Sequence, residues 1–210
     1  FIYWNFGFLR MRSTGMTAQA FGRQSSAAII NTLGRALLVV GILAFLLIAL
    51  QIPLGKISFF LMNINQEQEA LVSTYFFVRI WAAPATLGLY AFMGWFFGMQ
   101  NAIFPLVLTV FINVVNILLS YLFVRGMGMD VDGVAYGTLI AQYAGLILAI
   151  VLFAMRYREY VTALQQRALL KWEELRSFLS VNLDIFIRTL CLTFAFGFFY
   201  SQSAAEGEVI

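Results

Sequence analysis

Between Arg79 and Arg125 the chain runs 45 residues without a formally charged side chain. As a single helix that run would measure ~68 Å at ~1.5 Å per residue, against a hydrocarbon core of ~30 Å. It therefore has to cross a bilayer twice. The turn is written in the residues: Gly98-Met99-Gln100-Asn101 is polar and glycine-led, and Pro105 can start a helix but not continue one. The stretch reads as a membrane hairpin. Its outgoing arm carries two amides, Asn113 and Asn116, one helical turn apart. Polar groups in lipid usually face a cavity or a partner helix. The segment predicts an integral membrane protein, all-α and polytopic, with a solute pathway.

Composition points the same way. The chain is 62% hydrophobic and 11% charged, with a mean hydropathy of +0.87. A soluble domain carries ~25% charged residues. Phe1–Leu9 is apolar but too short to span, and the chain closes at Ile210 just after an apolar segment, so it reads as a fragment of a longer protein. No signal-peptide pattern is visible. The single cysteine, Cys191, has no intrachain partner for a disulfide. There is no histidine, which removes the commonest general base and metal ligand. A histidine-based triad or zinc site cannot be assembled, and the expectation is a non-enzyme with no resident cofactor or metal.

The placement of charge sets a topology. Arg10, Arg12, Arg23 and Arg35 precede or open one span, and Arg156, Arg158, Arg167, Lys171 and Arg176 lie between two later ones. The alternate loops hold Lys56 with Glu67 and Glu69, and Arg125 with Asp130 and Asp132. The positive-inside rule puts the basic loops in the cytoplasm. This is a topology signal and not a nucleic-acid patch. The expected order is the end of a truncated helix over Phe1–Leu9, a basic loop over 10–28, and an outgoing span over Ile29–Leu54 that stops at Pro53. A short interfacial piece over Ile57–Met62 and an outer loop over 63–69 follow. Then come an ingoing span over Ala70–Phe97, an outgoing one over Phe104–Val124, and a turn over Gly126–Gly133. An ingoing span over Val134–Met155, a connector over 156–181 and a last span over Asn182–Tyr200 complete the chain.

In the connector, Leu164, Leu169, Trp172, Leu175 and Leu179 alternate with a charged face, the pattern of an amphipathic helix in the headgroup plane. It reads either as a simple linker or as a bridge between two halves that move against each other.

Four stretches, in order, resemble one family. They are M-R-S-T-G-M-T-A-Q-A-F-G from Met11, R-I-W-A-A-P-A-T-L followed by G-W-F-F-G-M-Q-N from Arg79, N-V-V-N-I followed by G-V-A-Y-G-T-L-I-A-Q from Asn113, and N-L-D-I-F-I-R-T-L-C-L from Asn182. The chain resembles the multidrug and toxic compound extrusion (MATE) antiporters of the MOP flippase superfamily, and within them the branch named for the DNA-damage-inducible protein F. That resemblance implies a bundle of two six-helix lobes, of which this chain would hold the end of helix two, helices three to seven and the turn after seven. It implies residues 1–157 as part of the first lobe, 158–181 as the connector and 182–210 as the first helix of the second. The first helix, which carries a coupling aspartate in many members, would be missing.

Each candidate site residue has its own chemistry. Asn113 and Asn116 are three positions apart and so share a helix face; they read as inter-helix amide contacts or as cavity lining. In many members a carboxylate follows the second asparagine by one turn, whereas here the position is Ser120. A serine cannot cycle a proton and holds Na⁺ less well than a carboxylate. Thr138 matches a polar cavity residue of the family's sixth helix, and its hydroxyl could instead bond back to its own helix. Arg79 lies about ten residues inside a span, where it has to snorkel, pair or meet an anion. Asp184 and Arg188 are spaced i,i+4 with the acid first, as a structural pair or a gate. Pro84, alone inside a span, should free the Ile80 carbonyl and kink the helix as a candidate hinge.

The function implied by the resemblance is an ion-coupled secondary antiporter, using H⁺ or Na⁺, that exports amphipathic organic compounds by alternating access. Its expected partners are the bilayer of the inner (plasma) membrane, a small amphipathic substrate and the remainder of its own chain, with no nucleic acid. The alternatives are a lipid-linked oligosaccharide flippase of the same superfamily, which would want a strongly cationic cavity, and a non-transporting membrane scaffold.

Overall fold

The computed structural model describes residues 3, 6–61, 66–164, 187–188, 191–192 and 194–196. Among the described residues the chain is helical, with no strand. Its helices are α1 (Phe8–Gly22), α2 (Ser26–Ala49), α3 (Gln51–Leu61), α4 (Gln66–Ile80), α5 (Ala83–Gly98), α6 (Ile103–Tyr121) and α7 (Val131–Tyr157). A π turn over Leu122–Gly126 extends α6, and a 3₁₀ turn over Arg158–Ala163 extends α7. Three helical stretches are long and apolar enough to cross a bilayer: Ser26–Ala49, Ile103–Gly126 and Val131–Ala163. A fourth crossing is formed by Ala70–Ile80 and Ala83–Gly98 together, bent by 52°. Large apolar side chains such as Phe45, Leu106, Ile117 and Ile147 point outward along them, as expected where lipid is the solvent. The last expected span, Asn182–Tyr200, and the connector beyond Leu164 lie outside the described residues.

Two hairpin turns are built alike. At the end of α5, the Asn101 amide bonds Phe96 O at 2.9 Å and the Gln100 amide bonds Phe97 O at 3.0 Å. Gln100 takes the left-handed conformation, φ 59°, that this C-terminal motif requires. The Asn101 side chain then caps α6, accepting from the Ile103 and Phe104 amides at 3.1 Å each. At the end of α1, the Ser25 amide bonds Ala20 O and the Gln24 amide bonds Phe21 O, with Gln24 at φ 54°. Ser25 Oγ caps α2 by accepting from the Ala28 amide at 3.4 Å. The turn expected at Gly98–Asn101 is therefore present, and the same chemistry over Phe21–Ser25 makes a second one.

That second turn corrects the reading of residues 10–28 as a loop: Phe8–Gly22 is a helix, and α2 begins at Ser26. Its polar residues looked like loop chemistry, but Ser13 and Thr17 are buried on the face that meets α5. There the backbones touch. A Cβ on Gly94 would sit 2.4 Å from Arg10 O, and one on Gly98 would sit 2.5 Å from Thr17 Cβ. Gly94-Trp-Phe-Phe-Gly98 is the small-xxx-small pattern that lets membrane helices approach closely.

The first full span is also corrected. It ends at Ala49 rather than Leu54, and Pro53 falls in the first turn of α3, where its missing N–H costs nothing. Arg35, expected at an interface, lies well inside α2 and is only 6% exposed.

A second close crossing joins α6 to α7. The buried residues of α7 include Gly133, Gly137, Ala141, Gly145 and Ala149, a small residue every fourth position. A Cβ on Gly145 would meet Ile112 Cγ1 at 2.4 Å, and one on Gly137 would meet Ser120 Oγ at 2.8 Å. The seam on α6 is thus Ile112, Asn116 and Ser120, at i,i+4 spacing.

At one end of the bundle an aromatic cluster locks the helices together. Trp95 is fully buried and donates its indole N–H to Ile29 O at 3.0 Å. Its ring packs edge-on against Tyr157 and Phe153 of α7, and Asn101 Nδ2 donates to Tyr157 Oη at 3.0 Å. The Phe21–Ser25 turn, the Gly98–Asn101 turn and the end of α7 therefore lie at the same end.

Candidate functional site

A polar contact crosses the α6–α7 seam, whose polar residues are half-buried, whereas the buried polar residues Ser13, Thr17, Asn31, Thr32, Arg35 and Thr86 lie on α1, α2 and α5. Asn116 Nδ2 donates to Thr138 Oγ1 at 2.8 Å, and Thr138 Oγ1 donates to Val134 O at 2.8 Å. The Thr138 hydroxyl therefore bonds back to its own helix and also accepts from the neighbouring one. Asn116 is half-buried, whereas Asn113 is exposed. The two amides do not act as a pair, because the seam follows Ile112–Asn116–Ser120 and Asn113 lies off it.

Ser120 sits one turn beyond Asn116, against Gly137, the residue before Thr138. Its hydroxyl oxygen is buried without a hydrogen-bond partner. A buried unbonded hydroxyl is costly, and the Ser13, Thr17 and Thr86 hydroxyls share that condition elsewhere in the bundle. The three side chains are neutral oxygen donors or acceptors, suited to a hard cation and unable to exchange a proton near neutral pH. Among the described residues no group of three or more His, Cys, Asp or Glu comes together to hold a metal.

A second feature, not visible in the sequence, is a cleft of about 530 Å³ between α4 and α7. Ser73, Thr74, Phe77 and Trp81 line it from α4 and its end, and Tyr136 and Leu139 from α7. The cleft is an open groove rather than an enclosed cavity, walled by aromatic side chains and a few hydroxyls.

Pro84 lies in the first turn of α5, and the chain is fully broken before it, at Trp81–Ala82. The Ile80 carbonyl faces the Tyr3 hydroxyl at 3.4 Å, and that hydroxyl donates to Arg79 O at 2.6 Å. Tyr143 Oη of α7 donates to Trp81 O at 2.9 Å. Among the described residues Arg79 has no carboxylate partner, and its side chain is half-buried. Its guanidinium lies 5.5 Å from the Tyr3 ring centroid, with one terminal nitrogen buried and unbonded. This is cation–π geometry. Asp184 lies outside the described residues; Arg188 is exposed and helical.

The comparisons with known proteins agree with this architecture. The model of the MatE family matches residues 1–122. The chain is 32% identical over 193 residues to DNA damage-inducible protein F of Escherichia coli (strain K12), covering 90% of this chain and 41% of that protein. Among solved structures, the fold is similar to a multidrug resistance MATE family transporter of the MOP superfamily in an inward-facing conformation, with a TM-score of 0.81 at 20% identity. That match covers 94% of this chain and 45% of the other. The Vibrio cholerae MATE transporter VcmN in its bent form matches with a TM-score of 0.69, also at 20% identity, over 92% of this chain and 45% of its own. The chain thus spans less than half the length of the relatives it matches. The matched family model, the relative and the bundle geometry together give one conclusion: this chain is a membrane protein belonging to the MatE family of transporters.

Proposed function

We propose that the protein supplies the first-lobe helices of an ion-coupled secondary transporter that exports amphipathic organic compounds by alternating access. The observation that carries the reading is the Asn116–Thr138 contact beside the unbonded Ser120 hydroxyl, a polar strip inside a seam otherwise closed by small residues. The coupling ion is H⁺ or Na⁺. The cleft of about 530 Å³ between α4 and α7, with its aromatic and hydroxyl walls, suits a flat amphipathic substrate. One of the similar structures, a multidrug resistance MATE family transporter, is in keeping with that substrate class.

In this reading residues 1–157 belong to the first lobe, 158–181 to the connector and 182–210 to the first helix of the second lobe. The protein sits in the inner (plasma) membrane, with the Phe21–Ser25 and Gly98–Asn101 turns facing the cytoplasm. Pro84 marks a bending point and Asp184 with Arg188 an ion pair at the cytoplasmic mouth. The test is reconstitution of the full-length protein in liposomes, with efflux of ethidium followed under an imposed H⁺ or Na⁺ gradient. Gradient-driven efflux supports the reading. Movement that ignores both gradients refutes the coupling.

A further inference from the structure

The break between α4 and α5 is wider than its proline requires. Pro84 has no N–H, so it removes only the bond to Ile80 O. In a helix merely kinked there, Trp81 O would still accept from the Ala85 amide and Arg79 O from the Ala83 amide. Here Trp81 O accepts from Tyr143 Oη at 2.9 Å, and Arg79 O accepts from Tyr3 Oη at 2.6 Å and from the Ala82 amide at 3.0 Å. Intrahelical bonding resumes at Thr86, whose amide bonds Ala82 O at 2.8 Å. The two hydroxyls come from distant parts of the chain: Tyr3 lies ahead of α1, and Tyr143 lies on α7.

We propose that Tyr3 and Tyr143 form a hydroxyl latch that holds the α4–α5 span in its bent state, and that releasing the latch lets the span rewind and straighten. An unbonded carbonyl is expensive in a bilayer, so a break in a span survives only if other groups satisfy it. The latch satisfies Trp81 O and Arg79 O in the bent state. The Ala85 and Ala83 amides can satisfy the same two carbonyls in the rewound state. Arg79 O and Trp81 O thus have a partner in both states, whereas Ile80 O, 3.4 Å from the Tyr3 hydroxyl, has one in the bent state alone, so the joint is two-state and weighted toward the bend while Tyr3 is in place. Arg79 adds a second hold, because its guanidinium lies 5.5 Å from the Tyr3 ring and keeps that ring over the break. Trp81, at the break, is also a wall of the α4–α7 cleft, so the joint and the cleft change shape together. The latch is a mechanical property of the span and stands whether or not the protein carries a substrate.

The test measures the bend directly. Spin labels at Leu71→Cys on α4 and Phe97→Cys on α5, at positions 50% and 41% exposed, span the joint in a background without other cysteines. From a rise of ~1.5 Å per residue, removing the whole 52° bend would lengthen the separation by about 3–4 Å, and rewinding to the kink that Pro84 itself imposes lengthens it by about 2–3 Å. The full-length protein in lipid nanodiscs is compared with Tyr3→Phe, Tyr143→Phe and the double variant by pulsed electron–electron resonance. Phenylalanine keeps each ring and deletes only the hydroxyl. The expected result is a shift of the distance distribution to the longer separation, largest in the double variant. An unchanged distribution in the double variant overturns the latch. If the double variant does not accumulate, Tyr143→Phe decides alone, because Tyr143 is 37% exposed and its ring is not needed to fill the core. It must shift the distribution part of the way, and an unshifted distribution overturns the proposal equally.

Discussion

Asn116 donates its side-chain amide to Thr138 Oγ1 across the α6–α7 seam at 2.8 Å, and Thr138 in turn donates to the Val134 carbonyl at 2.8 Å. The threonine hydroxyl is thus saturated as a donor, and its orientation is fixed by its own helix. Asn116 contributes the donor that crosses the seam, and its side-chain oxygen is a further acceptor.

Replacing Asn116 by leucine should therefore cost transport far more than it costs folding. Interhelical hydrogen bonds in membranes are worth ~0.6–2 kcal/mol. The expected outcome is a small drop in thermal stability and at least a tenfold loss of efflux per correctly folded molecule. Melting temperature and liposome efflux, measured on the same preparation, check it. Normal efflux per molecule would make Asn116 a structural contact only.

Ser120 gives the opposite expectation for stability. Its hydroxyl is buried and unbonded, so Ser120→Ala removes an unsatisfied group and should be neutral or slightly stabilising. If the coupling group is a carboxylate elsewhere in the full-length protein, transport is also retained. Loss of Na⁺-driven efflux at normal expression would instead assign the hydroxyl as an ion ligand, and would favour Na⁺ over a proton.

The glycine crossing between α1 and α5 should be the least tolerant part of the bundle. Gly98→Ala forces a Cβ to 2.5 Å from Thr17 Cβ and 2.8 Å from Thr14 O, so the helices must separate. Overpacking of this kind costs ~1–3 kcal/mol. Gly41→Ala, which meets nothing within 4 Å, should be neutral or mildly stabilising. Thermal unfolding of the two variants side by side checks the contrast.

Much of this arrangement was legible in the residues, and the exceptions have physical causes. The Gly98–Asn101 turn could be read because a helix terminus is made by local chemistry: a left-handed residue, a capping side chain and a proline in the first turn of the next helix. The break at Pro84 was legible for the same reason, although its extent was not, since Tyr3 and Tyr143 reach it from remote parts of the chain. Residues 10–28 were misread because serine, threonine and arginine look alike on a loop and on the buried edge of a helix. The missed signal was Gly94-xxx-Gly98, whose only reason in a span is a close neighbour. The four-residue repeat of small residues from Gly133 to Ala149 likewise marks the α7 seam. Asn116 was recognised as a candidate, but its partner was not, because the crossing register of two helices is fixed by packing rather than by either sequence alone. The cleft between α4 and α7 had no sequence signature for the same reason.

The proposed sidedness has a direct test, because the two hairpin turns share one end of the bundle. Single cysteines at Ala102 and Met127, both exposed and at opposite ends of α6 and its extension, should report opposite compartments. In intact cells an impermeant thiol reagent is expected to label Met127→Cys and to spare Ala102→Cys until the membrane is opened. The reverse pattern would invert the topology.

The central claim is coupled export, and one measurement meets it most directly. The full-length protein is reconstituted in liposomes, and ethidium movement is followed with a pH gradient, with a Na⁺ gradient and with neither. The account predicts uphill ethidium movement under one of the two gradients, abolished by the matching ionophore and reduced at least tenfold in Asn116→Leu. Ethidium movement that is the same with and without both gradients, or an Asn116→Leu variant that transports like the parent, would contradict it.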